Sequence, residues 1–416
     1  MSARRSARGR GSARRPGAVR RRIAAVVVVA AVIAVGVYVP ASLLAPIAPA
    51  SAEVTKYTAP TEKALSLRFP DYGATAVEAV GFDDSLTTSG DSKPRSIASI
   101  SKIVTALVVL SKKPLDGGSG PDITFTASDR ALYDTYLAQD GEVAAMPAGL
   151  TLTEKQTLQV ALIKSANNYA SALAYWAFGS NQAYVTAAKA WLKEHGLNHT
   201  TLVEPTGLNA ANRSTATDLV KLGKLALANP DIASIVSTKS VDIPVVGTVE
   251  NSNKLLGIDD VVGIKTGTLD EAGACLLFAT REEVLGHTVT VVGVMLGGVD
   301  HDSLDVDVAK LLTSVKSGFQ TVTAVTADDV YGSYDTEWGS NAHAVAAKTV
   351  SKLVYGSATV KAVPALDTVG EATAGSKVGT LRVTIGSSVT TVPLVLDRAM
   401  TEPDAWWRLT NPSSVF

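Results

Sequence analysis

Three short polar elements stand in one order along this chain: Ser99-Ile100-Ser101-Lys102, then Ser165-Ala166-Asn167, then Lys265-Thr266-Gly267. Together they hold the parts that acyl transfer through a serine requires. A hydroxyl becomes a nucleophile when a base takes its proton. Lys102 follows Ser99 by three residues, one helical turn on and on the same face, so its amine reaches Ser99 Oγ. That amine serves as a base once burial or a nearby cation has lowered its pKa well below the ordinary ~10.4. Lys265 is a cation that could do so. Ser99 at a helix N-terminus also sets backbone N–H groups and the positive end of the dipole beside a developing oxyanion. The Ser165 hydroxyl can pass a proton to a leaving nitrogen, and the Asn167 amide can hold both Lys102 and a substrate backbone. Lys265 and Thr266, ending an apolar strand, suit a substrate carboxylate, and Gly267 lets a ligand approach the backbone closely. Each element alone has a bland explanation: a surface helix, a helix cap, a chance loop triplet. Their coincidence favours the catalytic reading.

These residues need a scaffold, and the hydropathy pattern predicts one. Ile100, Ile103, Val104, Leu107 and Val108 recur at helical spacing, with Ser99 in the first turn. Leu158 to Ile163 and Ser171 to Trp176 predict two helices joined by a polar link over 165–168. Thr215 to Leu227 predicts another, stopped by Asn229-Pro230. Ala74 to Phe82 reads as a strand entering a hairpin. Val261 to Ile264, Gly273 to Thr280 and Thr288 to Leu296 read as adjacent strands, followed by a helix from Leu304 to Val315. Beyond about residue 320 short β-like runs take over. The clearest alternates at Leu381, Val383 and Ile385, turns at Gly386-Ser387-Ser388 and returns through Val389 to Leu396.

The net charge of −1 conceals an asymmetry. Residues 1–22 hold nine Arg and no acid, whereas from Glu53 onward 29 basic residues face 39 acidic ones. Such a body lacks the clustered cations that phosphates demand, so no nucleic-acid partner is expected. An uncharged run from Ile23 to Val39 continues weakly to Ile47, and 23–47 is long enough to span a membrane. The arginines before it set the basic tail inside and the body outside the cytoplasm. Ala50-Ser51-Ala52 also offers a small-residue cleavage site, so a secretory signal cut after Ala52 is the rival reading. The apolar run exceeds a usual signal core, which favours a retained anchor. Both readings export the body.

Residues 48–60 read as a linker, 61–320 as the catalytic domain and 321–416 as a β-rich domain. Cys275, the one cysteine, lies in an apolar run and reads as a buried, inert thiol. His195 and His199 are four apart, but Gly196 and Asn198 break a helix there, so they read as a surface turn and not a zinc site. No metal or other cofactor is expected.

Wider stretches carry a family resemblance. Ser96-Ile97-Ala98-Ser99-Ile100-Ser101-Lys102-Ile103-Val104-Thr105-Ala106-Leu107 resembles the nucleophile helix of the D-alanyl-D-alanine carboxypeptidases, the low-molecular-mass penicillin-binding proteins. Pro205-Thr206-Gly207-Leu208, Ser214 to Leu219, Asn253-Lys254-Leu255-Leu256, Gly263 to Gly267 and Glu271 to Cys275 are similar to that family too. So is the tail, through Val378-Gly379-Thr380-Leu381 and Pro393-Leu394-Val395. The resemblance implies an α/β fold: a β-lactamase/transpeptidase-like domain, its antiparallel sheet flanked by helices, with a small C-terminal all-β domain and an N-terminal membrane segment. It implies that Ser99 attacks the carbonyl before the terminal D-alanine of a peptidoglycan stem peptide, with Lys102 as base and Ser165 as proton relay. Asn167 would position the substrate, Lys265, Thr266 and Gly267 would receive its carboxylate end, and the N–H groups of Ser99 and Thr268 would form the oxyanion hole. β-Lactam antibiotics would acylate the same serine and leave slowly.

Some departures bear on this. The family's middle element often reads Ser-Gly-Asn-Asp, whereas this chain has Ser165-Ala166-Asn167-Asn168. No amphipathic membrane helix precedes Phe416, so attachment is expected at the N-terminal segment. Glu204-Pro205-Thr206-Gly207-Leu208-Asn209 faintly resembles the Glu-x-x-Leu-Asn loop of class A β-lactamases, with one extra residue. A glutamate there could activate water for deacylation, which keeps a β-lactamase as the enzyme alternative. A non-catalytic wall-binding module is the third reading, and the presence of Ser99, Lys102 and Lys265 together weighs against it.

Overall fold

The computed structural model describes residues 16–61 and 64–416. Most of the basic stretch 1–22 therefore lies outside the described residues. Two compact units emerge. One comprises Thr61–Val322 with Lys352–Ala358; the other comprises the chain up to Pro60, Thr323–Ser351 and Thr359–Phe416.

The first unit is built on a five-stranded antiparallel sheet in the order Val261–Leu269, Gly273–Val284, His287–Gly298, Ala74–Ala79, Thr87–Gly90. Its central strands are apolar on both faces, as a sheet covered on both sides requires. Along Gly273–Val284, Cys275, Leu277 and Ala279 enter one core while Ala274, Leu276 and Phe278 enter the other. The helices Ser101–Lys112, Glu154–Ile163, Asn167–Phe178, Asn181–Glu194 and Ala216–Ala228 fill the first core. The helix His301–Lys316 covers the opposite face through Leu304, Val308, Leu311 and Val315. Helix starts are capped by side chains: Thr153 forms a capping box with Gln156, which moves the start of that helix ahead of Leu158, and Thr215 and Asp300 cap two others. Cys275 is fully buried, and burial pushes its thiol up to about 11, leaving no thiolate for chemistry.

The second unit contains a six-stranded antiparallel sheet in the order Ala52–Val54, Val330–Asp335, Asn341–Ala346, Ser388–Leu396, Lys377–Ile385, Val360–Leu366. The hairpin read at Gly386-Ser387 is present, with Ile385 opposite Ser388. The linker reading of 48–60 needs correction. Ala52, Glu53 and Val54 pair with Tyr334, Ser333 and Gly332, and Ala50 bridges Val369. A three-residue edge strand is too short to show a period of two, which is why the sequence pattern passes over it. Two short helices, Ala405–Thr410 and Pro412–Val415, follow the sheet. Ahead of it runs the helix Pro16–Leu44, of which Val19–Leu44 is long and apolar enough to cross a membrane.

Candidate active site

The chain reaches Ser99 through a short 3-10 turn, Ala98–Ile100, and the α-helix starts only at Ser101. Ala98 sits at φ +45°, so the nucleophile stands on a kink and not inside the first α-turn that periodicity predicts. Lys102 is still one turn further on. Its Nζ donates to Ser99 Oγ (2.8 Å), to Asn167 Oδ1 (2.6 Å) and to the Thr206 carbonyl (2.8 Å), which uses all three ammonium hydrogens. Only 1% of Lys102 is exposed. Burial above all, and then the Lys265 cation, hold its pKa well below the lysine range, while Glu204 and Glu142 pull the other way.

The polar link shrinks to Lys164–Ala166, because Asn167 and Asn168 already open the helix Asn167–Phe178. Ser165 lies in the link, buried, at φ +64°. It is not among the partners of Lys102. The structure thus joins Ser99, Lys102 and Asn167 by direct hydrogen bonds and leaves Ser165 two residues from that cluster. The Asn167 N–H donates to the Glu142 carbonyl (2.7 Å). Asn168 accepts from the Ala144 N–H (3.2 Å) and donates to the Ala144 carbonyl (2.9 Å). A carboxylate could make only the first of those bonds, so asparagine is the residue this loop clamp needs.

Lys265, Thr266, Gly267 and Thr268 lie on the sheet-edge strand Val261–Leu269, which passes directly by the nucleophile turn. A Cβ on Gly267 would stand 3.1 Å from the Ile97 carbonyl oxygen and 3.2 Å from the Ser99 nitrogen. Lys265 is 2% exposed, and its Nζ has no hydrogen-bond partner among the described residues. Burial pushes it down to about 7, with Glu142 opposing. A buried ammonium without a partner is costly, and an incoming carboxylate would relieve it.

Two partners of this strand carried no sequence signal. Ser252 Oγ shares a hydrogen bond with Thr266 Oγ1 (2.5 Å), and His301 Nε2 shares one with Thr268 Oγ1 (2.8 Å). Burial, Lys265 and Lys254 lower the His301 pKa, against Asp300 and Asp302.

The loop after Glu204 completes the site. Its carboxylate accepts from the N–H groups of Thr206 (2.6 Å), Gly207 (2.7 Å) and Asn209 (3.3 Å) and from Asn212 Nδ2 (3.0 Å). Three of these donors meet Oε1 and the Thr206 N–H meets Oε2, so Glu204 braces the loop that aims the Thr206 carbonyl at Lys102. Gly207, at φ +87°, closes the loop on the nucleophile turn: a Cβ there would fall 1.8 Å from the Ala98 carbonyl oxygen. His195 and His199 do not converge; the first stacks on Trp191 and the second faces Asp218.

Residues 84–298 match a family described as D-alanyl-D-alanine carboxypeptidase. A D-alanyl-D-alanine endopeptidase of Escherichia coli is 34% identical over 199 residues, covering 45% of this chain and 59% of the relative. A D-alanyl-D-alanine carboxypeptidase of a Streptomyces species is 28% identical over 250 residues, covering 56% and 82%. The chain therefore spans about 59% of the length of the endopeptidase it matches. Among solved structures, mutants of a Streptomyces DD-transpeptidase superpose at a TM-score of 0.52 with 25% identity, over 61% of this chain and 98% of that one. A D-alanyl-D-alanine carboxypeptidase of Francisella tularensis superposes at 0.57 over 84% and 97%, with 18% identity, a likeness of fold.

Proposed function

Since the chain belongs to the D-alanyl-D-alanine carboxypeptidase family, we propose that it is a serine-type carboxypeptidase removing the terminal D-alanine from peptidoglycan stem peptides. The observation that carries this is Lys102, buried, depressed in pKa and 2.8 Å from Ser99 Oγ. In its neutral form the amine takes the Ser99 proton as Oγ attacks the carbonyl carbon before the last D-alanine. The oxyanion forms against the N–H groups of Ser99 and Thr268. Ser165 relays the proton to the leaving nitrogen, the C–N bond breaks, and D-alanine departs from an ester on Ser99. Asn167 positions the peptide, and Lys265 and Thr266 receive its carboxylate. Water then hydrolyses the ester. Penicillins, also carboxylates with a strained amide, acylate Ser99 in the same way.

The carboxylate of Glu204 is engaged in bracing its own loop, through Thr206, Gly207, Asn209 and Asn212, and this weighs against a β-lactamase. The endopeptidase relative favours a second reading in which the leaving amine belongs to a cross-linked peptide. Incubation with diacetyl-Lys-D-Ala-D-Ala, a cross-linked stem-peptide dimer and a fluorescent penicillin separates these. D-Alanine release and a long-lived label, both lost in Ser99→Ala, support the carboxypeptidase. Cleavage of the dimer alone supports the endopeptidase, rapid penicillin turnover without D-alanine supports the β-lactamase, and no label leaves a binding module.

The helix Pro16–Leu44 is, on this reading, a retained anchor with its basic end inside and the chain beyond it on the wall side. Cleavage after Ala52 would remove the Ala50–Val369 bridge and the first residue of an edge strand. The intact mass of the membrane-extracted protein tests this: loss of residues 1–52 would overturn it.

A further inference from the structure

The outer end of the Pro16–Leu44 helix is partly covered by protein, at Tyr38, Val39 and Ser42, whereas residues 19–37 are exposed. From Val26 to Val37 its valines and Ile33 are all more than half exposed, whereas Ser42 is fully buried. The cover is the segment Ala405–Phe416, within the same unit. Tyr38 donates its hydroxyl to the Leu409 carbonyl (2.7 Å). Arg408 Nη1 donates to the Ala45 carbonyl (2.7 Å) and the Leu43 carbonyl (3.4 Å), and its Nη2 is held by Glu402 (2.9 Å). A guanidinium on these carbonyls satisfies groups that a helix end leaves open, and it complements the negative end of the dipole.

The depth of this contact follows from helix geometry. At about 1.5 Å per residue, the rise from Arg22 to Ser42 is about 30 Å, the thickness of a bilayer hydrocarbon core. With Arg22 at the inner boundary, the covered stretch lies at the outer one. Aromatic side chains favour that level. Trp407 packs edge-on against Trp338, whose Nε1 donates to the Thr401 carbonyl, so the short helix is fixed in place. Next to it Trp406 is 74% exposed, and on the same segment Phe416 is 73% exposed.

We infer that the segment Ala405–Phe416 is an interfacial foot, which docks on the outer end of the anchor helix and lays Trp406 and Phe416 into the outer headgroup layer of the bilayer. The inference rests on the reading of Pro16–Leu44 as a retained anchor. Its chemistry is that of the lipid boundary: indole and phenyl faces take up apolar contact, and the Trp406 N–H keeps a polar partner. Continuity with the membrane span is what selects lipid over a protein partner.

The full-length protein, reconstituted in nanodiscs of phosphatidylethanolamine and phosphatidylglycerol, provides the test. Part of the lipid would carry bromine atoms either high or deep in the acyl chains. The difference in fluorescence between the parent and Trp406→Phe isolates Trp406. It should be quenched at least twofold more by shallow than by deep bromines. Trp406→Ser combined with Phe416→Ser should speed amide exchange across 405–416 about tenfold in nanodiscs, with the protein still membrane-bound. An anchored chain whose Trp406 is unquenched, whose exchange is unchanged in the double variant, or whose Trp406 is instead protected by a second copy overturns the inference alone. A mature chain starting beyond Ala52 overturns the anchor reading and the inference together.

Discussion

Lys265 and Lys102 are both buried amines of one site, yet among the described residues only Lys102 has hydrogen-bond partners, and the charge of Lys265 depresses it. The pair divides its labour accordingly, one amine poised to lose a proton and the other to keep its own for an anion. The free enzyme's kcat/KM should therefore be bell-shaped in pH. Acid silences the base by protonating Lys102, and above about 7 Lys265 gives up the charge that holds the carboxylate. Lys265→Arg, which stays charged, should carry the alkaline limb to higher pH. A limb that stays where it was would separate Lys265 from substrate binding.

The same burial costs stability. The folded pKa of Lys265 is about 7 against an ordinary 10.5, so the unfolded chain binds more protons between those values. The penalty is full below pH 7 and disappears above about 10.5, so stability rises with pH across this window as far as Lys265 contributes. At neutral pH Lys265→Met should raise Tm by several degrees, consistent with a few kcal/mol at about 1.4 kcal/mol per tenfold in proton affinity. Penicillin acylation should meanwhile collapse. A lower Tm would mean that Lys265 has a partner supporting the fold.

Lys102→Arg keeps the charge and removes the base, since a guanidinium does not deprotonate in a protein. Acylation by a fluorescent penicillin should slow by about 10²–10⁴-fold, the span of general-base effects. An arginine variant that acylates at the parent rate would assign the 2.8 Å contact a purely structural role.

Much of this site was legible because its chemistry is local in sequence. Ser99 and Lys102 are one helical turn apart, and the strand bearing Lys265 announces itself by its apolar run. Two kinds of information were hidden. Backbone direction was one: the φ reversal at Ala98 and the kink at Ser165 leave no trace in hydropathy, so Ser99 was read into an α-turn and Asn167 into a loop. Contacts made through backbone atoms or across long sequence gaps were the other. The Thr206 carbonyl on Lys102 spans 104 residues and His301 on Thr268 spans 33, and neither partner has a type that advertises the role. The edge strand Ala52–Val54 stayed hidden for want of length.

Glu204 is where sequence likeness and geometry part, and substitution distinguishes them. Glu204→Gln keeps one oxygen for the three donors on Oε1 and turns an amide NH2 toward the Thr206 N–H. Stability should fall by about 1–3 kcal/mol, the cost of unsatisfied buried groups. Acylation should slow as the Thr206 carbonyl shifts from Lys102, while the lifetime of the penicilloyl-enzyme stays within about twofold. A lifetime extended a hundredfold with intact stability would instead make Glu204 a deacylating base.

His301 offers a finer test of the carboxylate end. Its Nε2 lies 2.8 Å from the Thr268 hydroxyl, on the strand that carries Lys265. Burial and the two lysines lower its pKa, so at pH 7 the ring is neutral and holds Thr268 without adding charge. His301→Ala removes one hydrogen bond of about 1 kcal/mol, which is about fivefold in affinity. If Thr268 contributes to binding the peptide, KM should rise by that factor with kcat nearly constant, and His301→Gln should restore most of it by offering an amide in place of the ring. As pH falls through the lowered His301 value, the parent should gain a second cation near Lys265. Its KM should then decrease relative to that of His301→Gln, which cannot titrate. Parallel pH profiles for the two proteins would show that the His301 charge does not reach the substrate, and an unchanged KM in His301→Ala would remove Thr268 from binding.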